Sequence, residues 1–176
     1  EATVESTVDR VNSDLLDIRQ IFNAANYNIV QEFDISSEKF AEQFSLLYEV
    51  NSDKIESLAL YGNEGRLIAS EPVAVEKENI DVTGQDWYKN AESAIENVHF
   101  SVPHIQNLYE DGLYRYHWVV SLSRYVDIND GEIPGSGVLL VDMKYSVIED
   151  VLKQINDSSE GIYYYMISRD GQMIYH

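Results

Sequence analysis

From Val4 the apolar residues fall at Val4, Val8, Val11, Leu15, Ile18, Phe22, Ala25 and Ile29, in alternating steps of four and three. Only a helix satisfies that period: a strand alternates every second residue and a loop has no period at all. Sustained for about four heptads at 1.5 Å per residue, the seam predicts a helix of roughly 40 Å, longer than most globular helices. Two uses stay open for it. It lies along its own domain, or it is a stalk whose seam also pairs with a second copy.

Asp34-Ile35-Ser36-Ser37 stops this helix and supplies N-cap chemistry for another, in which Phe40, Phe44, Leu47 and Tyr48 recur at helical spacing. The period then becomes that of strands. Ser57 to Tyr61, a turn at Gly62-Asn63-Glu64-Gly65, and Arg66 to Ser70 predict a β-hairpin. Pro72 to Val82 reads as an acidic loop. Further strands are predicted at Val98 to Ile105, Tyr114 to Val126 and Gly137 to Met143, with loops at Gln106 to Gly112 and Asp127 to Ser136. Ser146 and Glu149 make a capping-box pattern for a helix with Val147, Ile148, Val151, Leu152 and Ile155 on its apolar face.

Between the hairpin and these strands lies TGQDWYKNA, residues 83–91. Thr83 and Asp86 form a capping-box pattern, with Val82 and Trp87 placed as a hydrophobic staple. Trp87 continues to Ala91, Ala94 and Ile95 on one stripe, so packing accounts for it. Tyr88 is turned about 100° from that stripe. Packing gives it no obvious job, which makes it the stronger ligand candidate.

The chain also repeats itself. Setting Gly171 on Gly65 aligns LALYGNEGRLIAS with YYYMISRDGQMIYH, strand, acidic residue, glycine and strand in the same order, each copy after an amphipathic helix. Three parts follow: a stalk helix over 1–33, a first module over 34–155, and over 156–176 a boundary and the first hairpin of a second, truncated module. The chain starts without Met and stops inside an apolar strand, as expected for part of a longer protein.

Charge narrows the partners. Twelve Lys and Arg against 31 Asp and Glu give a net charge of −19, which repels phosphate backbones and anionic headgroups. Cysteine is absent, so disulfides and thiolate zinc sites are excluded. No apolar run reaches transmembrane length. His99, His104, His117 and His176 lack metal-site spacing, no GxSxG nucleophile elbow occurs, and pairs such as Glu110-Asp111 follow from the acidic composition. Neither a metal, a cofactor nor an enzyme activity is expected of this domain.

Two strands carry candidate binding groups. Asp142 interrupts the apolar run 137–143, where a carboxylate needs a partner or water; it is either a ligand acceptor or a solvated strand end. In 114–124, Tyr114, Tyr116, Trp118, Val120 and Leu122 share one face, read as core against a helix. Arg115, His117, Val119, Ser121 and Ser123 share the other, which lines a wet cavity or faces solvent.

The long helix, the hairpin with an acidic residue and Gly in its turn, the DWYKNA helix start, the VVSLSR and GVLLVDM strands and DGQMIYH together resemble the double Cache family. These are PAS-like extracytoplasmic sensor domains of bacterial receptors, and the likeness is strongest to the sensor regions of histidine kinases. It implies an α+β fold, a long N-terminal helix on a PAS-like antiparallel sheet. It also implies a periplasmic or extracellular location between membrane anchors, dimerisation through the helix, and a small molecule bound between sheet, helix and loops around Trp87. A chemotaxis receptor or a ligandless interaction module is the alternative. In the amino-acid-binding branch an Arg two residues before the Trp grips the ligand carboxylate and an Asp of the last strand takes the amine. Here Trp87, Tyr88 and Asp142 match, Gln85 stands at the Arg position, and His104 and Gln106 stand where Tyr and Asp are expected. Without the Arg a bidentate grip on a carboxylate is lost, so a neutral or cationic ligand fits as well as a free amino acid. The candidate ligand residues are therefore Tyr88, Trp87, Asp142, His104, Ser121 and Gln85.

Overall fold

The computed structural model describes residues 2–93, 97–113, 115–130, 133–158, 165–167 and 171–175. Helix α1 (Ala2–Asn23) continues into a π-helical turn over Ala24–Val30, where Gln31 N–H reaches back five residues to Asn26 O at 3.0 Å. The extra residue rotates the seam, so Ala25, Asn26, Ile29 and Val30 are all buried. Just before this turn Ile18, Ile21 and Phe22 sink into the domain, whereas Val8, on the same seam, is 52% exposed. The helix thus lies on its own domain along its C-terminal half, and its first turns face solvent.

Helix α2 (Glu38–Glu49) starts as its sequence requires. Ser37 Oγ accepts from Phe40 N–H at 3.1 Å, and Asp34 Oδ1 accepts from Ser36 N–H at 2.8 Å. Strands β1 (Ile55–Gly62) and β2 (Leu67–Glu71) form the expected hairpin. After it come α3 (Asp86–Ser93), short strands β3 (His99–Phe100) and β4 (His104–Ile105), long strands β5 (Trp118–Asp130) and β6 (Ile133–Lys144), α4 (Ser146–Ser158), and a hairpin of β7 (Met166–Ile167) and β8 (Met173–Tyr175).

The main sheet runs β2-β1-β6-β5-β3, with β4 also on β5, and every pair is antiparallel. Its two faces bury different things. Leu58, Leu60, Val120, Leu122, Leu139, Val141 and Met143 face the core shared with α1, α2 and α4. Ala59, Tyr61, Val138 and Leu140 face a second core closed by α3 and the loops, with Val82, Trp87, Tyr88, Ala91 and Leu108. The α+β architecture is the one expected, an N-terminal helix on an antiparallel sheet.

Several expectations need correction. Residues 127–130 and 133–136 are strand, not loop: β5 and β6 stay paired until Asp130 faces Ile133, and β5 keeps its alternation there, with Val126 and Ile128 buried and Asp127 exposed. Residues 98–105 form two short strands instead of one, interrupted around Pro103, which has no N–H for the ladder. Tyr116 lies before β5 and is 79% exposed, and Trp118 is half exposed against Tyr145, so the aromatic face is not core at that end. The start of α3 is organised by Asp81, whose Oδ1 accepts from Gly84 N–H at 2.9 Å and Thr83 Oγ1 at 3.0 Å, in place of a Thr83 cap. For α4 the helix opens on Tyr145, whose carbonyl takes the N–H of both Ile148 and Glu149 at 3.0 Å. It runs to Ser158, two residues past the start of the expected boundary at Asn156. Ala94, Ile95, Tyr114 and His176 lie outside the described residues, as does the backbone of 159–164 and 168–170.

Gly171, at φ +85°, occupies the turn before β8 as Gly65, at φ +73°, does before β2. Tyr145 Oη donates to Ile174 O at 2.9 Å and binds the second hairpin to the end of β6.

Candidate functional site

The second face of the sheet is apolar except at its middle. Register places Ser57 of β1 and Ser121 of β5 on either side of Asp142 of β6. Because residues facing each other across a ladder point to the same side, all three side chains meet on the face covered by α3 and the loops. Asp142 is 1% exposed, and Ser57 Oγ donates to its Oδ2 at 2.9 Å and Ser121 Oγ to its Oδ1 at 2.5 Å. Burial pushes its pKa up, opposed by the serine bonds, the nearby His104 and a hydrogen bond from Gln106. Asp142 is no solvated strand end. It is a buried carboxylate held by neutral donors.

His104 extends this chain. Its Nε2 lies 3.3 Å from Ser121 Oγ, and its Nδ1 lies 3.0 Å from Val102 O and 3.2 Å from Ser101 Oγ. With the Ser121 proton given to Asp142, His104 Nε2–H is the donor to Ser121 Oγ. Ser101 Oγ in turn accepts from Ser121 N–H at 2.8 Å. Strand β4, set beside Val119 by its pairing, thus brings an imidazole to the carboxylate.

Tyrosines complete the cluster. Tyr61 Oη and Tyr109 Oη are 3.1 Å apart, and burial raises both pKa values, with Asp142 and Glu76 adding to the shift. Trp87 packs on the Tyr61 ring at 5.4 Å between centroids, which fixes one wall. Tyr88 meets Trp87 edge-on at 5.7 Å.

The sequence-derived candidates divide accordingly. Asp142, Ser121 and His104 come together directly, and Trp87 adjoins them through Tyr61. Tyr88 does have a packing job, contrary to expectation: it is 1% exposed in the second core and donates Oη to Gly62 O at 3.3 Å. The stripe argument failed because α3 is covered on two sides, by the sheet and by the first hairpin's turn. Gln85 sits at the edge, its Nε2 donating to Asp81 O at 3.1 Å, and belongs to the turn before α3. Ser123, read as a cavity or solvent group, is buried and donates to Trp87 O at 2.8 Å. Sequence reasoning missed Ser57, Tyr61, Glu76 and Tyr109. A usable signal existed for the first two: Ser57, Ala59 and Tyr61 alternate onto one face, but only the β1–β6 register sets them beside Asp142.

Among the described residues no group of His, Asp and Glu is arranged to hold a metal ion, and no helix is long and apolar enough to cross a membrane.

No protein-family model matches the sequence, and no curated protein does. Solved structures do. The ligand-binding domain of the Pseudomonas aeruginosa PAO1 amino acid chemoreceptor PctC, solved with GABA, superposes at a TM-score of 0.76 with 18% identity, over 99% of this chain and 73% of that one. The ligand-binding domain of the Pseudomonas fluorescens chemoreceptor CtaA with L-valine gives 0.69 and 18%, over 99% and 72%. The sensory domain of the Campylobacter jejuni chemoreceptor Tlp3 with isoleucine gives 0.67 and 12%, over 99% and 67%.

The chain has the α+β fold of these chemoreceptor domains. In this fold the Asp142 cluster occupies the space between the central sheet and the α3 side, closed by two loops that pair with each other. Lys77 N–H donates to Leu108 O and Glu110 N–H to Val75 O, each at 2.9 Å.

Proposed function

We propose that this chain is the extracytoplasmic small-molecule-sensing domain of a bacterial transmembrane receptor, and that its ligand presents an ammonium group to Asp142. The observation that carries this reading is a fully buried carboxylate, partnered among the described residues only by neutral hydroxyls, an amide and a histidine, beneath two loops that pair with each other. An anion so placed attracts a cation strongly, because little solvent screens it. Ser121 and His104 position the carboxylate, Trp87 and Tyr88 form the wall behind Tyr61, and Gln85 sits at the rim. An amino acid or a related amine is the class of ligand favoured, since the structural neighbours include domains solved with GABA, valine and isoleucine.

Signal would pass through two arrangements of a dimer joined by α1, whose first turns expose Val8. The ligand shifts that equilibrium by its differential affinity for the two. The neighbours favour a chemoreceptor output, and the sequence resemblance a histidine kinase; ligand capture is common to both. The hairpin of β7 and β8 then opens a second, membrane-proximal module. The test is a thermal-shift screen of amino acids and amines on the isolated chain. A ligand at 100 times its Kd stabilises by about 2.7 kcal/mol, and Asp142→Asn, which keeps the shape and removes the charge, abolishes the shift. A flat screen, or full binding by the Asn variant, defeats the reading.

A further inference from the structure

Glu76 lies on the loop that roofs the cluster. It forms a bridge with Tyr109 and is held there by the flanking backbone bonds from Lys77 and Glu110. Its Oε1 is buried and has no hydrogen-bond partner among the described residues. Nearly all buried polar atoms are paired, and a carboxylate oxygen is among the most costly to leave unpaired. Glu76 is also close enough to raise the pKa of both Tyr61 and Tyr109, the pair that Asp142 affects from the sheet side.

Apart from His104, which acts on Asp142, no basic side chain among the described residues answers these two carboxylates. Lys54 is paired with Asp17, Lys144 with Ser52 O, Lys89 with Gly84 O, Arg115 with Asp111 and Arg124 with Tyr27. No lysine or arginine figures among the groups acting on Asp142, Tyr61 or Tyr109. A site with one acceptor in its floor and an unpartnered one in its roof, bridged by two phenols, is complementary to a molecule with two positive ends.

We propose that Glu76 is a second cation-receiving group of this site, so that the ligand carries two ammonium groups, one for Asp142 on the sheet and one for Glu76 on the loop. This rests on the reading of the Asp142 cluster as the ligand site. The chemistry is shared by diamines and by amino acids with an amine-bearing side chain.

Isothermal titration of the whole chain with matched pairs tests it: putrescine against n-butylamine, and lysine against norleucine. The doubly charged member of at least one pair binds about tenfold tighter or more, about 1.4 kcal/mol. Glu76→Gln, with an unchanged circular dichroism spectrum, removes that preference and leaves the weaker binding of the singly charged member. Putrescine above lysine identifies a diamine; the reverse identifies a diamino acid. Equal affinity within both pairs, or a preference that persists in Glu76→Gln, overturns the role of Glu76 while leaving the Asp142 site standing. Failure of every amine to bind wild-type protein overturns both.

Discussion

Ser121 Oγ donates to the Asp142 carboxylate at 2.5 Å while its own oxygen faces His104 Nε2 at 3.3 Å. One hydroxyl therefore joins strand β4 to the buried acid of β6. Ser121→Ala removes both contacts and leaves Asp142 with Ser57 and Gln106, so it costs about 1–3 kcal/mol in urea unfolding. Ser57→Ala removes a single bond and costs less. In the Asp142→Asn background the Ser121→Ala penalty shrinks, since there is no charge left to satisfy. Equal penalties in both backgrounds would show that Ser121 acts by packing alone.

The raised pKa of Asp142 gives a stability profile with a definite sign. Burial lifts its folded value above the ordinary 3.8, so the folded state holds the proton more tightly than the unfolded chain. The resulting stabilisation is full below 3.8 and is lost as pH rises from there through the raised folded value. Asp142→Asn flattens this part of the ligand-free profile. Binding runs the other way: an ammonium needs the ionised acid, so the ligand-induced rise in Tm grows with pH over the same window. A ligand shift that shrinks with pH across it would contradict an ammonium at Asp142.

Much of this architecture was legible in the residues, and what was not depended on distant partners. Ser37 caps α2 because a cap is a local decision, and the first hairpin follows from its turn and alternation. Asp142 drew attention as a charge in an apolar run. Whether it was solvated depended on which strands flank β6, and that is a property of the register with Ser57 and Ser121, set far away in sequence. Tyr88 shows the same limit: helical spacing assigned one packed face to α3, but the turn around Gly62 covers a second. Glu76 was invisible, one acid in an acidic loop, until the loop was paired with Tyr109.

At Gly137, paired with Gly62, β6 leaves no room for a side chain against the backbone of β1. A Cβ there would sit 2.0 Å from Tyr61 O and 2.9 Å from Ile128 Cδ1. The isoleucine can turn aside, but the carbonyl is backbone in a ladder that pairs Gly62 with Gly137. Gly137→Ala must therefore push the strands apart next to Tyr61. It is expected to cost several times the ~1 kcal/mol typical of a point substitution and to weaken ligand binding through the displaced phenol. Alanine tolerated with unchanged Tm would mean that the two backbones part more easily than this spacing implies.

His117 holds the roof from outside. Its Nδ1 is 2.6 Å from Glu56 Oε1, on β1, and its Nε2 is 2.8 Å from Asp111 Oδ2, in the loop that carries Tyr109. That contact, before the bonds from Leu113 N–H and Arg115, holds the Asp111 pKa well below the usual carboxylate range. These groups are partly solvated, so the pairs add little to global stability. Locally they matter more, because together with the Tyr61–Tyr109 pair they tie β1 to the paired loops 75–77 and 108–110. His117→Ala should speed amide exchange of Lys77 and Glu110, whose N–H groups close those loops, by about tenfold, equivalent to ~1.4 kcal/mol. Amides of Leu139 and Val141, buried in the central strand, should exchange as in the wild type. Affinity for any ligand that reaches Asp142 should fall with a faster dissociation rate, since an open roof shortens residence. Exchange that accelerates equally in β6 would make His117 a general stabiliser, and exchange unchanged at Lys77 and Glu110 would remove it from control of the loops.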